Sequence, residues 1–422
     1  MNIRRLCLAS LLPLFLIIQI GRAESASPWN DSFLGVCSQV TRETPQYNPF
    51  KIHEVLMDTI KGANIHFTRF GFKWHTIHPA KDEWDWRIAD AVVASAKERD
   101  LQVLALISGM PKHIFDAPQE HIGLWLEFVD SLTSRYAEDI FHWEIWNEPN
   151  LKNGKYWPQS ELPGPYGTYV VEATRKIRHN QPEATILLGG LATNKRSKPF
   201  KTWDALFQMG VLEHVDGIAY HTYQYTGEKL IDLNLKLSEL VAKYSEEEKA
   251  FWITEYGVPG IDSNQFPQVS YQTQSQNIQK SVITHWATGG AKFFVFSIWD
   301  KAVFKPNQTR KQLKQTRTYY YGLLEKGLSP KPSYTALQWL APLLDSYVPL
   351  EIQQLDSGVS IKLQHKTDAS IAYFSWGSSG LQEMRQKTAT LSFCESSETQ
   401  WEMNNKQFRQ LNLPVDEVLF WR

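Results

Sequence analysis

Two glutamates occupy equivalent places in this chain. Glu148 stands in Trp146-Asn147-Glu148-Pro149-Asn150, directly after the apolar run 140–146. Glu255 stands in Ile253-Thr254-Glu255-Tyr256-Gly257, directly after 250–253. Both runs have the length and residue types of buried strands, so each carboxyl falls where a strand ends. A carboxyl pair on neighbouring strand ends is what cleavage of a glycosidic bond needs. One carboxylic acid protonates the leaving oxygen, while a carboxylate attacks or stabilises the oxocarbenium-like carbon. The pairing points to hydrolysis with retained configuration.

The elements that must position these groups follow an alternating pattern. Strand-like runs fall at 33–38, 65–70, 102–107, 141–146, 185–189, 217–221, 250–254 and 292–298. Amphipathic stretches lie between them at 53–62, 86–99, 122–136, 166–180, 230–244 and 274–288, with 334–345 after the last. Eight strand–helix repeats predict a (β/α)8 TIM barrel over residues 30–345. A doubly wound sheet is the alternative, but no Gly-rich dinucleotide turn follows the first strand. From about residue 349 short β-type segments alternate with turn residues. They predict a small C-terminal antiparallel β-sandwich over 346–422, packed on the barrel because no Pro/Gly/Ser-rich spacer intervenes.

Barrel active sites lie at the C-terminal ends of the strands. Arg69 ends the second strand, Asn147 and Glu148 the fourth, His221 and Tyr223 the sixth, Glu255 the seventh and Trp299 the eighth. Trp74, Trp157 and Tyr225 fall in loops on the same face and are candidate sugar subsites. Glu144 faces the interior by strand alternation, where an ion pair with Arg69 or another strand cation competes with a catalytic role. Asp300 is either a substrate ligand or a loop cap.

With these motifs in place the chain resembles the clan A retaining (β/α)8 glycosidases. Within them it is similar to glycoside hydrolase family 39, of the type of bacterial endoglycosidases associated with exopolysaccharide synthesis. The barrel-closing segments Tyr321-Gly322-Leu323-Leu324 and Pro330-Lys331-Pro332-Ser333-Tyr334 carry part of that similarity. The resemblance implies that Glu148 is the acid/base and Glu255 the nucleophile, the latter kept ionised by Arg69 and Tyr223. It implies that Asn147 bonds the sugar 2-hydroxyl, that His221 orients the acid/base or binds a hydroxyl, and that Trp299 floors the reacting sugar.

The whole chain narrows the alternatives. Balanced charge, 44 basic against 45 acidic residues, argues against nucleic acid as a partner. Sixteen Trp and 17 Tyr fit a polysaccharide or oligosaccharide partner, since sugars stack on aromatic rings, although most such rings are core. Arg4, Arg5, the apolar run 6–20 and Gly21-Arg22-Ala23 read as an export signal over 1–23. That run falls short of the roughly 20 residues of a spanning helix; an uncleaved anchor is the competing reading. No membrane span is expected after cleavage, and the product would be a periplasmic or secreted monomer. Cys37 and Cys394 are the cysteines outside that signal, and a pairing between them is allowed but not implied. Asn30 and Asn307 lie in glycosylation sequons, relevant in a glycosylating host. No metal-ligand spacing and no cofactor motif is present. A catalytically silent carbohydrate-binding or matrix-organising protein is the alternative to an enzyme, and both glutamates argue against it. A metal-dependent barrel hydrolase is the third class, and the first strand offers no His-x-His pair for it. Finally, Lys301, Lys305, Arg310, Lys311, Lys314 and Arg317 follow the eighth strand with no acidic residue from 301 to 317. That segment either faces a negatively charged polysaccharide or is a solvated basic loop.

Overall fold

The computed structural model describes residues 16–19, 32–38, 48–151, 157–158, 162–262, 266–305, 309–355, 357–377, 390–394, 400–404 and 418–421. Strand β1 (Leu16–Gln19) is followed by eight parallel strands: β2 (Leu34–Cys37), β3 (Phe67–Lys73), β4 (Gln102–Ser108), β5 (His142–Asn147), β6 (Thr185–Ala192), β7 (Gly217–His221), β8 (Ala250–Tyr256) and β9 (Lys292–Val295). Each pairs with the next, and β2 pairs with β9, so the barrel closes and leaves no free edge. Helices such as Ile122–Arg135, Gly164–Asn180 and Tyr271–Ala287 pack around it. Both strand faces are therefore buried, which is why these strands read as continuous apolar runs.

Alternation along the strands separates two interior layers. Cys37, Phe67, Leu104, Leu187, Ala219, Trp252 and Phe294 fill the lower barrel as one apolar cluster. Two residues further along the same strands stand Arg69 after Phe67, Glu144 after His142, His221 after Ala219 and Thr254 after Trp252. The two-residue period keeps each pair on one face, so the apolar plug becomes the floor of a polar layer. The intervening residues, such as Trp143, Ile145, Ile218 and Ile253, point outward into the main core against the helices.

The C-terminal strands are β10 (Tyr347–Leu355), β11 (Gly358–His365), β12 (Ile371–Trp376), β13 (Thr390–Cys394), β14 (Gln400–Asn404) and β15 (Leu419–Trp421). Where the sequence suggests a sandwich, the described strands join into one hydrogen-bonded antiparallel sheet, ordered β1-β10-β11-β12-β15-β13-β14. The sheet packs directly on the barrel. Phe374 meets Trp286 and Trp339 of two barrel helices, and Trp376 Nε1 donates to Glu228 Oε1 at 2.8 Å. The edge strand β1 lies inside the segment read as an export signal. No helix among the described residues is long and apolar enough to cross a membrane. Asn30 and Asn307 fall outside the described residues, as does the side chain of Cys394, while Cys37 is a buried free thiol donating to Thr254 O at 3.3 Å.

Candidate active site

The site is organised around Arg69, which is fully buried within β3 rather than at its end, because the strand runs on to Lys73. Its Nε and Nη2 donate to the two oxygens of Glu144 at 2.6 and 3.0 Å, a planar two-point contact. Its Nη1 donates to Glu255 Oε1 at 2.6 Å, and Nη2 also reaches Asn147 Oδ1 at 3.1 Å. One guanidinium thus ties together strands β3, β5 and β8. Glu144 further accepts from Thr254 Oγ1 at 3.0 Å and from Gly190 N at 3.1 Å. Its role is the internal ion pair. Losing one partner of such a pair leaves a buried charge uncompensated, at a cost of about 3–5 kcal/mol.

Departures from regular strand geometry aim the two candidate carboxyls. Trp146 in β5 and Glu148 just past its end have φ of 79° and 46°, in the left-handed region that non-Gly residues seldom occupy. Strand alternation is therefore broken at Trp146, whose ring turns outward onto Trp125 and Trp157 rather than following Glu144 inward. Asn147 is brought inward instead. In β8 the register with β9 shifts between Ile253 and Tyr256, so consecutive residues Thr254 and Glu255 both reach the polar layer. Irregular strands of this kind re-aim side chains beside active sites.

Glu255 accepts from Tyr223 Oη at 2.6 Å in addition to Arg69. Burial pushes its carboxyl upward, but the charges of His221 and Arg69 and the two donors hold it below the ordinary carboxylate value. His221 Nδ1 lies 3.0 Å from Glu148 Oε1 and 3.6 Å from Glu255 Oε2. Burial lowers the imidazole, yet the surrounding carboxylates raise it above its usual value overall. A raised His221 donates Nδ1–H to Glu148, which fixes that carboxyl's position. One ligand atom each from Glu148, His221 and Glu255 lie within 4.8 Å of one another. A metal ion could bridge such a trio, but Arg69 already supplies the positive charge at Glu255, and a second cation would be repelled.

The carboxyls open into a cleft of about 840 Å³ bordered by Asn147, Glu148, Glu255, Phe296 and the strand-end segments after β3 and β4. This is the size of an oligosaccharide-scale site. Arg69, Asn147, Glu148, His221, Tyr223 and Glu255 come together as the sequence predicts. Four aromatic expectations do not. Trp74 is 1% exposed and packs on Trp125 and Phe128 beneath a helix, so it cannot meet a sugar. Trp157 is fully buried against Trp146 and Tyr169, and Tyr225 is half-buried against the outer core. Trp299 is also packed in the core at 8% exposure. Phe296, which borders the cleft together with Phe115, stands where Trp299 was expected, because β9 stops at Val295 rather than running on to 298. Asp300 serves as a buried cap: it accepts from Lys331 Nζ and Gly322 N, both at 2.8 Å. Burial raises its carboxyl to about 6 against the pull of Lys331.

Gly190 is a site residue that the sequence did not reveal. Its N–H holds Glu144 and its carbonyl accepts from Glu148 N at 2.9 Å. A Cβ there would stand 2.3 Å from His221 Nε2 and 2.8 Å from Glu144 Oε1. The adjoining Gly189 would collide with the Ile145 carbonyl. The Gly189-Gly190 pair in a strand was the available signal, since such positions mark close approach.

An eight-stranded barrel with two acidic groups converging at its C-terminal mouth defines a glycoside hydrolase. Residues 33–302 match the family model described as Cellulase (glycosyl hydrolase family 5), and the chain belongs to that family. The fold is similar to a family 39 glycoside hydrolase from the gut symbiont Bacteroides cellulosilyticus WH2, with a TM-score of 0.67, 14% identity, and coverage of 92% of this chain and 80% of that one. It is similar also to a monomeric beta-xylosidase from Caulobacter crescentus CB15, with a TM-score of 0.58, 14% identity, and coverage of 82% and 74%. A third likeness is to GH5_18 from Streptomyces cattleya in complex with GlcNAc, with a TM-score of 0.55, 13% identity, and coverage of 71% and 76%. At these identities the likeness shows the fold. No curated protein sequence matches the chain. The clan A assignment drawn from the motifs stands; the matching family is 5, and family 39 enters through structural likeness.

Proposed function

We propose that this chain is a retaining glycosidase in which Glu255 is the nucleophile and Glu148 the acid/base. The observation that carries the reading is the spacing of the two carboxyls, whose oxygens approach within 4.8 Å. Retaining enzymes place their carboxyl groups about 5–5.5 Å apart, whereas inverting ones need about 6.5–9.5 Å to admit a water between them. Glu255, charge-stabilised by Arg69 and Tyr223, attacks the anomeric carbon as Glu148 gives its proton to the departing oxygen. The glycosidic bond breaks and a glycosyl ester forms on Glu255. Glu148, now a carboxylate, takes a proton from water; the water oxygen attacks the same carbon, and the Glu255 carboxylate leaves.

The remaining groups support that division of labour. Asn147 Oδ1 is occupied by Arg69, so its Nδ2 is left to donate to a sugar hydroxyl beside the reacting carbon. The half-buried ring of Phe296 offers the stacking surface. Glu148, with 14% of its side chain exposed, stands on the solvent side of the pair, where a leaving group and then a water must pass. An extracellular or cell-surface polysaccharide, such as a bacterial exopolysaccharide, fits the open cleft and the export-type N-terminus, with the protein acting as a monomer. Purified Glu148→Gln and Glu255→Gln proteins test the reading, with hydrolysis and polymer binding measured side by side. Loss of turnover with binding kept is expected; turnover that survives either change would exclude that residue from the chemistry.

A further inference from the structure

The surfaces on both sides of Glu255 share one electrostatic character. Besides the two candidate catalytic glutamates, the charged side chains bordering the main cleft are Lys73, Lys112 and Lys301, accompanied by His75 and His113. Behind Tyr223 lies a second cavity of about 340 Å³, lined by Arg310, Lys314 and Arg317 together with Tyr321 and Leu313, and by no acidic residue. Tyr223 lines this second cavity and links it to the site: its hydroxyl bonds Glu255, and its ring contacts Tyr321 and Phe296, the latter bordering the main cleft.

The three cations of the second cavity are exposed residues carried on an anchored segment. They recur at i, i+4 and i+7 along the helix Arg310–Thr316 and the turn Arg317–Tyr320, which puts them on one side. The helix is held by a Thr309–Gln312 capping box and by Leu313, buried among Ile261, Phe266 and Tyr320. Like charges at these spacings repel one another, and no ion pair joins any of the three to an acidic residue among those described. An otherwise near-neutral protein thus gathers positive charge at the cavity beside Tyr223.

We propose that the substrate is a polyanionic glycan, and that Arg310, Lys314 and Arg317 bind an acidic substituent of a sugar flanking the one cleaved. The chemical class is a sugar bearing a carboxylate, as in a uronic acid, or a sulfate. Arginine pairs with either through two parallel N–H donors, while lysine adds a point charge. Lys73, Lys112 and Lys301 extend the same selectivity along the main cleft. The proposal rests on the glycosidase reading above and names the substrate class of that site.

Binding by the Glu148→Gln protein tests it separately from turnover. Retardation is measured in gels containing alginate, polygalacturonate, hyaluronan or dextran sulfate, alongside carboxyl-reduced polygalacturonate as the neutral counterpart. The account expects retention by at least one acidic polymer, little by the reduced one, and a steep fall with added salt. Uronate polymers retaining the protein without dextran sulfate would identify the carboxylate, and the reverse would identify the sulfate. Adding Arg310→Glu, Lys314→Glu and Arg317→Glu together should weaken retention at least tenfold and flatten the salt dependence. The same charge change made on the outer surface, Lys51→Glu with Lys236→Glu and Lys243→Glu, should not. Equal losses in the two triple variants, no loss in either, or no preference of the parent protein for acidic polymers would overturn the proposal. If Glu148→Gln removes hydrolysis while the cavity variant binds normally, only the anion site fails. If hydrolysis survives Glu148→Gln and binding still follows the cavity charge, only the catalytic assignment fails.

Discussion

Replacing Tyr223 with Phe isolates one of the forces that keep Glu255 ionised. The Tyr223 hydroxyl donates to Glu255 Oε2 at 2.6 Å, while its ring is seated on Tyr321 and Phe296. The substitution therefore deletes a donor and leaves the packing. A hydrogen bond to a charged group contributes about 1.5–3 kcal/mol. At about 1.4 kcal/mol per pKa unit, the carboxyl should titrate roughly 1–2 units higher in the variant. In the parent protein burial raises this carboxyl, but His221, Arg69 and Tyr223 together hold it below 4.5. In the proposed mechanism the ionised form is the nucleophile, so activity is expected above its pKa and lost as pH falls through it. The acid limb of kcat/KM should move to higher pH by about 1–2 units in Tyr223→Phe, while the basic limb moves less. The same carboxylate adds folding stability that is present above its unfolded pKa and lost as pH falls through the lower folded one, so the variant should also lose part of its advantage over that window. A pH profile on an activated aryl glycoside provides the measurement. An acid limb at the parental position would refute the assignment of Tyr223 as a donor that tunes the nucleophile.

Three further outcomes follow from the same geometry. Arg69→Met should lower stability by about 3–5 kcal/mol in denaturant unfolding, because Glu144 is left buried without its partner. Gly190→Ala should fold but lose on the order of 10²-fold in kcat, since a Cβ placed 2.3 Å from His221 Nε2 displaces the group that orients Glu148. Phe296→Ala should raise KM and lower kcat/KM by about tenfold, equivalent to about 1.4 kcal/mol, whereas Trp74→Phe should change the melting temperature and leave KM alone.

Much of the barrel was legible because its signal is carried by period and by strand ends. All eight barrel strands fall where the apolar runs place them, and Asn147, His221, Tyr223 and Glu255 follow from the rule that strand termini face one mouth, whereas Arg69 reaches the site from within β3. The ion pair of Arg69 with Glu144 was likewise readable from alternation. What escaped depends on local geometry that residue types do not encode. The left-handed φ at Trp146 turns a ring outward that regular alternation would send inward. A strand ending at Val295 instead of residue 298 exchanges Trp299 for Phe296 at the site. Trp74 and Trp157 sit in segments that look like loops on the catalytic face, yet both rings fill the space between helices and strands. An excess of tryptophan does not distinguish a sugar platform from a wide core. Gly190 is informative only once its neighbours are known, because its function is the space it leaves for His221.

The central claim is that Glu148 and Glu255 flank one anomeric carbon closely enough for direct attack. Proton NMR of the first-formed product, recorded before mutarotation, tests this most directly. The account predicts that the anomeric configuration of the cleaved bond is kept in that product. Initial release of the opposite anomer would require a water between the carboxyls, which oxygens lying within 4.8 Å of each other do not admit, and would contradict the account.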